Sequence, residues 1–590
     1  MKKAKKNYGR RSADAQDAKQ TLQRKRPVGA EQLLLVLITL ACLLPFLNKG
    51  YNVDDPLFIW TAKQICNHPL DFYGFTVNWY GTVSPMAEVT KNPPGVCYYL
   101  ALAGALFGWS EYVLHSAMLI PSVVAVLGMF YLAQLLCSKP LLAALAGIVT
   151  PVFLVSATNV MCDITMLGLL VWAIFFWIRG IRTNRQRYFL FSALTITACS
   201  LTKYFGVALI PLLIAYALLQ KRRLGLWMCY LLIPVTFLAG YQWMTHSFYG
   251  LGLLWDAALF ASWFQSVGNQ TFLSKGLITL AFTGGCLASV LFYTPLLWSR
   301  KGCLIGVALI ILLLFALASV QKIGAVPTHD GDSVKWLFLL QAAVMIATGV
   351  SVITLALRDF LTFRNAESLL LLLWVAGTFI FAGFVNWVIN ARSILPMAPA
   401  AGILIMRRID QHRNSGKRMN GLLWAAVPLI PSVCIATIIS WSDYQWAGTS
   451  RAAAISITRS FENRKSTALW FAGHWGFQYY MEAGRGKAMD LADQAVMPGD
   501  IVIFPFNNTN IPINMSLFQQ HSSLLQIYEV GPQQWLTTMH SLMGAGFYSH
   551  LVGPLPFVFG LKDPEKYYAF IVEQAYTIRY REQVQHNRSS

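Results

Sequence analysis

The sequence predicts an all-α polytopic membrane core followed by a C-terminal extracytoplasmic α/β domain. Three observations carry that prediction. Apolar runs of about spanning length recur through 31–441, the short loops between them alternate between basic and non-basic, and both patterns stop near residue 442. Of 590 residues, 56% are hydrophobic and 12% charged, and the mean hydropathy is +0.50. A soluble domain carries about 25% charged residues, so a soluble enzyme, a disordered chain and a fibrous repeat are excluded.

The net charge of +20 is unevenly placed. Residues 1–26 hold ten Lys/Arg and two Asp, whereas residues 442–590 hold eleven basic and eleven acidic residues. The remaining excess sits in short loops of the apolar region, which is the pattern of membrane orientation rather than of a phosphate-binding groove for nucleic acid. Residues 1–30 therefore read as a basic cytoplasmic tail, also suited to anionic lipid headgroups. The apolar run Leu33–Leu47 has no small-x-small cleavage site after it and reads as an uncleaved first helix.

Within the core, 31–441, a first outer loop occupies 48–96, and 96–109 reads as a partial or re-entrant helix. Helices follow near 112–136, 141–158, 164–178, 188–202, 204–219, 224–245, 276–298, 303–320, 336–357, 369–385, 394–406 and 420–441. With the first this makes about thirteen spans, an odd number that places the C-terminus outside. The loops so placed inside are the basic ones: Arg179/Arg182/Arg185/Arg187, Lys221-Arg222-Arg223, Arg300-Lys301 and Arg407-Arg408 to Lys417-Arg418. The predicted location is the cell inner (plasma) membrane, multi-pass, with 442–590 as a periplasmic or extracellular soluble domain. There, Asp500-Ile-Val-Ile-Phe-Pro-Phe reads as a buried strand and 458–483 as partly helical. All ten cysteines precede residue 442, and free thiols are expected, Cys66 and Cys97 included.

Chemistry is sought among ionisable groups at the outer membrane face, since such groups are costly near lipid. The first loop opens Tyr51-Asn-Val-Asp54-Asp55-Pro56. Crowded, desolvated carboxylates gain basicity, so this pair suits deprotonation of a hydroxyl, with Asp54 the better base. The same residues also read as a helix start, with Asp55 as the cap before Pro56. The loop closes Lys91-Asn92-Pro93-Pro94, where paired prolines forbid helix and fix Lys91 and Asn92. A fixed Lys suits a lipid-borne phosphate; a lysine snorkelling beside a turn fits equally well. Asp163 in an outer turn, Lys203 in Ser200-Leu-Thr-Lys-Tyr-Phe-Gly206, and Arg392 at a Pro-broken helix start are expected at the same depth. Carboxylates and cations at one level suit an anionic lipid headgroup undergoing group transfer. Thr328-His329-Asp330-Gly331-Asp332 has metal-donor types but reads better as a hydrated turn. No nucleotide-binding motif stands in a suitable context.

Taken in order, these motifs resemble the membrane glycosyltransferases of GT-C architecture, specifically the protein O-mannosyltransferase-like family 39 and the aminoarabinose transferases that modify lipid A. The resemblance covers about 31–410 and rests on Asp54-Asp55, Asn92-Pro93-Pro94 with Tyr98-Tyr99, Asp163, Leu201-Thr202-Lys203 with Gly206, and Arg392 with Leu395-Pro396 and Pro399. In the outer domain, Gly473-His-Trp-Gly-Phe-Gln-Tyr-Tyr-Met-Glu482 also resembles a segment of bacterial members, and reads otherwise as an aromatic helix packing on the domain or the membrane.

The resemblance implies transfer of a sugar from a polyprenyl-phosphate donor to an acceptor hydroxyl of a glycan, lipid or protein, with inversion. It implies Asp54 as base, with Asp55 beside it. Lys91, Asn92, Lys203 and Arg392 would bind the donor phosphate. No cofactor is required; a divalent metal is possible, with Asp163 the residue to inspect. Two departures stand out. The family often has Asp-Glu at the acidic pair, and the aminoarabinose enzymes often have Glu-Lys where this chain has Lys91-Asn92, which favours a generic sugar transferase. The rival readings are a transporter or flippase of lipid-linked sugars, which needs the cations but no base, and a structural subunit whose outer domain recruits a partner.

Overall fold

The computed structural model describes residues 29–578 except 269, 415–420, 465–466, 493, 508 and 510–517. The basic tail up to residue 28 and Lys417-Arg418 lie outside the described residues. Among the described residues, eight helices are long and apolar enough to cross a membrane: Glu111–Leu136, Asp163–Thr183, Tyr204–Lys221, Leu226–Tyr249, Arg300–Ala318, Trp336–Phe363, Ala366–Val385 and Leu423–Ser460. Two further pairs, Pro140–Ile148 with Pro151–Ala157 and Phe272–Cys286 with Ser289–Leu297, are bent by 69° and 85°. That gives at most ten spans where about thirteen were expected.

All thirteen apolar runs are helical, but three fall short of a span. The first run forms Ala30–Leu43 with a 3-10 turn to Phe46, 188–202 forms Gln186–Ser200, and 394–406 is split into Ala391–Ile394, Leu395–Met397 and Ala398–Asn414. Proline explains the bend at Thr150-Pro151, where Thr150 also caps the next helix through Phe153 N. It also explains the split at Pro396. The helix Leu253–Val267, in the loop between two spans, was not foreseen.

The helix Arg300–Ala318 shows why a bilayer is needed. Leu304, Ile305, Leu312 and Phe315 all point outward, well over half exposed, and a face of that length has no solvent partner other than lipid.

The last apolar helix does not stop at 441 but continues as Leu429–Ser460 into the C-terminal region. There a five-stranded mixed sheet runs in the order Ser522–Val530, Glu565–Val572, Ile501–Pro505, Leu469–Phe471, Lys487–Ala488. The last three are mutually parallel and the others antiparallel. The expected strand is thus present. Its continuous apolar run follows from burial on both faces: Ile501 and Ile503 pack with Ile457, Phe477 and Met481, while Val502 and Phe504 pack with Phe518 and Phe570. The segment 458–483 resolves into the end of the long helix, the strand Leu469–Phe471 and the helix Trp475–Ala483. His329–Asp330 pairs with Ser333–Val334 around Gly331, a hairpin turn as read from the sequence. All ten cysteines are free.

Candidate active site

The acidic pair begins a helix, Asp55–Asn67, with Pro56 in its first turn where no N–H is required. Asp54, not Asp55, takes the N-cap position, and its side chain makes no capping bond. Asp55 instead spends both oxygens on backbone N–H groups, Asn52 at 2.8 Å and Val160 at 2.8 Å, with no exposed surface. Burial pushes its carboxyl up to about 7, against the pull of the Asn52 N–H, of Lys49 and of the Val160 N–H. It therefore ties the first loop to the turn preceding Asp163, and of the two carboxylates only Asp54 is open to a ligand. The peptide before Asp54 is forced: Val53, a β-branched residue, has φ 43°, a left-handed conformation that costs on the order of 1–3 kcal/mol.

Asp54 meets Arg392 at 2.7 Å. The same guanidinium lies 3.9 Å from Asp163, and Asp163 is held by Lys203 at 2.5 Å. Four of the sequence candidates thus form one alternating row, Asp54–Arg392–Asp163–Lys203. Asp163, the first residue of its helix, is 1% exposed, while Asp54 at 23% and Lys203 at 18% retain open surface at the two ends. The arrangement can bind an anion through Lys203 and Arg392 and can offer one reachable carboxylate beside it.

Local sequence explains how the row is assembled. Asn390 caps the short helix Ala391–Ile394 by accepting from Ser393 N, which fixes Arg392. The Pro93-Pro94 corner brings Gly95 against the Lys203 stretch: Gly95 N donates to Leu201 O at 2.9 Å. A Cβ on Gly95 would sit 2.5 Å from that oxygen, so only glycine fits. Asn92 lies at the same junction, its Oδ1 3.9 Å from Cys162 Sγ and its carbonyl accepting from Tyr73. Lys91 has a different engagement. It pairs with Asp256 of the unforeseen helix at 2.6 Å, donates to Glu88 O, and lies 5.0 Å from the centre of the Phe260 ring.

Among the described residues, no group of three or more His, Cys, Asp or Glu side chains has the spacing to hold a metal ion. The partners of Asp163 are Lys203 and Arg392.

Sequence reasoning missed a second layer beneath the row. Lys49 is fully buried and donates to Asp443 at 2.5 Å, Asn159 at 2.5 Å and Thr158 at 3.2 Å. Asp443 also accepts from Tyr548 at 2.8 Å and Thr538 at 2.8 Å, and Asn159 donates to the Tyr548 hydroxyl at 2.9 Å. The Tyr548 ring lies 5.7 Å beneath the Arg392 guanidinium. Adjoining backbone locks the two loops together: Ala391 N donates to Phe547 O and His550 N to Ile389 O. The sequence signal was a lone Asp inside an apolar helix. The apolar run 420–441 ends two residues before it, so the sequence pattern alone does not place Asp443 on that helix.

The aromatic segment 473–482 acquires a place as well. Its helix packs on the first loop, with Tyr480 accepting from Tyr51 N at 2.8 Å and donating to Glu111 at 2.8 Å. A Cβ on Gly476 would lie 1.8 Å from Tyr51 O, so the approach requires glycine.

Several solved structures resemble the chain at low identity. The Archaeoglobus fulgidus oligosaccharyltransferase, in complex with Zn and sulfate, is 16% identical with a TM-score of 0.48 over 78% of this chain, which spans only 62% of that protein's length. ArnT from Cupriavidus metallidurans, bound to undecaprenyl phosphate, is 13% identical with a TM-score of 0.40 over 91% of this chain and 97% of the other. The mycobacterial arabinofuranosyltransferase AftD is 11% identical with a TM-score of 0.38 over 92% of this chain and 39% of the other. No curated protein sequence matches. Residues 91–244, which hold Lys91, Asn92, Asp163 and Lys203, match the family described as dolichyl-phosphate-mannose-protein mannosyltransferase.

Proposed function

We propose that the chain is an integral-membrane glycosyltransferase that moves a sugar from a polyprenyl-phosphate donor to an acceptor hydroxyl on the extracytoplasmic side, inverting the anomeric carbon, with Asp54 as base. The observation that carries the reading is the row Asp54–Arg392–Asp163–Lys203, one accessible carboxylate beside two cations. The match of 91–244 to a family named for a lipid-phosphate sugar donor agrees with it.

In this reading the donor phosphate lies against Lys203 and Arg392. Its arrival gives Arg392 a second anion to hold, which leaves the Asp54 carboxylate free to face the acceptor hydroxyl. Asp54 then takes the proton of the acceptor hydroxyl while its oxygen attacks the anomeric carbon. The bond from that carbon to the phosphate oxygen breaks, and its electron pair leaves with the lipid phosphate. Lys203 and Arg392 stabilise the charge that grows there, a contribution larger in a site sheltered from water. Asp55 holds the loop, and Asn92 fixes the corner behind Asp163. Lys91, engaged with Asp256, acts at the donor entrance.

The test is a reconstituted transfer assay with radiolabelled polyprenyl-phosphate sugars and membrane extract as the acceptor pool. Label leaving the lipid with wild type, and falling by about 10²–10⁴-fold in Asp54→Asn, supports the proposal. Label remaining on the lipid with both proteins while the lipid still binds refutes it, and favours a carrier of lipid-linked sugars.

A further inference from the structure

A second recess lies on the outer side of the first loop, away from the ion-pair row. It has a volume of about 480 Å³ and is lined by Trp60, Lys63, Gln64, Asn67, Asn78 and Glu482, among others. The helix Asp55–Asn67 supplies one wall, the hairpin of Thr76–Asn78 and Val83–Pro85 another, and the outer-domain helix Trp475–Ala483 the third. Lys63 stands nine residues beyond Asp54 along the chain, about 14 Å at a helical rise of 1.5 Å per residue.

The polar groups here are incompletely used. Asn78 is 8% exposed and its Nδ2 donates to Met489 O, but its buried Oδ1 has no hydrogen-bond partner. Gln64 donates through Nε2 to Asp71 O at 3.1 Å. Lys63 lies against the Trp109 and Tyr479 rings and pairs with no carboxylate among the described residues. Glu482 accepts from Gln478 at 2.8 Å.

We infer that this recess binds a neutral polyhydroxylated sugar segment, the part of an acceptor glycan that extends away from the reacting hydroxyl. The chemistry selects that class. One cation and one carboxylate cancel, so the recess does not favour a phosphate or an acidic polymer. Several amides are unsuited to an acyl chain. Donors and acceptors spread around an aromatic wall match a ring that carries hydroxyls on its edge and C–H groups on its face. The acceptor role rests on the transferase reading above; the binding site itself does not.

Saturation-transfer NMR on the full-length protein in lipid nanodiscs tests the inference without a donor or turnover. The probes are maltotriose, mannotriose and chitotriose, with mannose 6-phosphate as the anionic comparison. Wild type and Asp54→Asn are expected to bind at least one neutral trisaccharide alike, and better than the phosphate. Lys63→Met and Glu482→Gln, both at half-exposed or exposed positions, are expected to weaken it by about tenfold, whereas Glu529→Gln on the far sheet edge is expected to leave it unchanged. Absence of transfer to every neutral probe overturns the inference, as do equal binding by the two recess variants and tighter binding of the phosphate. Neutral sugar binding without any transfer activity would sink the transferase reading alone.

Discussion

Lys49 Nζ and a carboxylate oxygen of Asp443 lie 2.5 Å apart with both side chains fully buried. They join the end of the first helix to the helix Leu429–Ser460 that leads into the C-terminal sheet. Because Asp443 also accepts from Tyr548, and Tyr548 underlies Arg392, the candidate site rests on a contact between residues almost four hundred positions apart in sequence. The C-terminal region is thus part of the site's foundation.

Removing one member of that pair leaves an uncompensated buried charge. Lys49→Met is expected to destabilise the protein by about 3–5 kcal/mol, and Lys49→Met/Asp443→Asn to recover most of the loss, since breaking a buried pair costs more than replacing it. Thermal unfolding in detergent, read for both single variants and the double, checks this. An additive double variant would refute it.

Tyr548 serves Arg392 through its ring and Asp443 and Asn159 through its hydroxyl. Tyr548→Phe keeps the ring and should cost about 1–2 kcal/mol of stability with modest loss of turnover. Tyr548→Leu also removes the aromatic face, worth about 1–2 kcal/mol to a desolvated cation, and should lower transfer further. A comparison of kcat and unfolding temperature across the two variants separates the roles.

Lys203 faces both Asp163 and open space, so its loss should act on chemistry and on stability. Lys203→Met is expected to lower kcat/KM by about 10²–10³-fold, and Lys203→Arg by less. Pairing Lys203→Met with Asp163→Asn should restore the unfolding temperature without restoring transfer. Recovery of transfer in the double variant would show that Lys203 acts only as a structural partner.

His474 is buried beside Trp79, and burial lowers its pKa to about 4 although the Gln478 side chain favours the charged form. A depressed histidine binds fewer protons folded than unfolded between about pH 4 and pH 6.5, so stability falls as pH drops through that window. From pH 6.5 to 5 the loss is about 1–2 kcal/mol. Thermal unfolding at pH 7 and pH 5 should show a smaller acid shift in His474→Gln than in wild type. Identical shifts would place the acid sensitivity at other buried histidines.

Much was legible in the sequence because local patterns are imposed by local physics. The apolar runs became helices, since a backbone in lipid must satisfy its own hydrogen bonds, and the continuous apolar run at 501–505 became the central strand. Asp54, Asp163, Lys203 and Arg392 were each identified from charge in a place where charge is costly. Helix lengths were less legible, because Pro151 and Pro396 broke runs whose composition alone reads as continuous. What only the tertiary structure decided is who meets whom. Asp55 and Asp54 are adjacent and chemically alike, yet packing buries one against two backbone N–H groups and leaves the other open beside Arg392. Lys91 went to Asp256 on a helix the pattern did not reveal, and Tyr548 came from the C-terminal region to support Arg392. Periodicity and charge are properties of neighbours along the chain, whereas an ion pair or a shared cavity depends on segments brought together by burial from far apart.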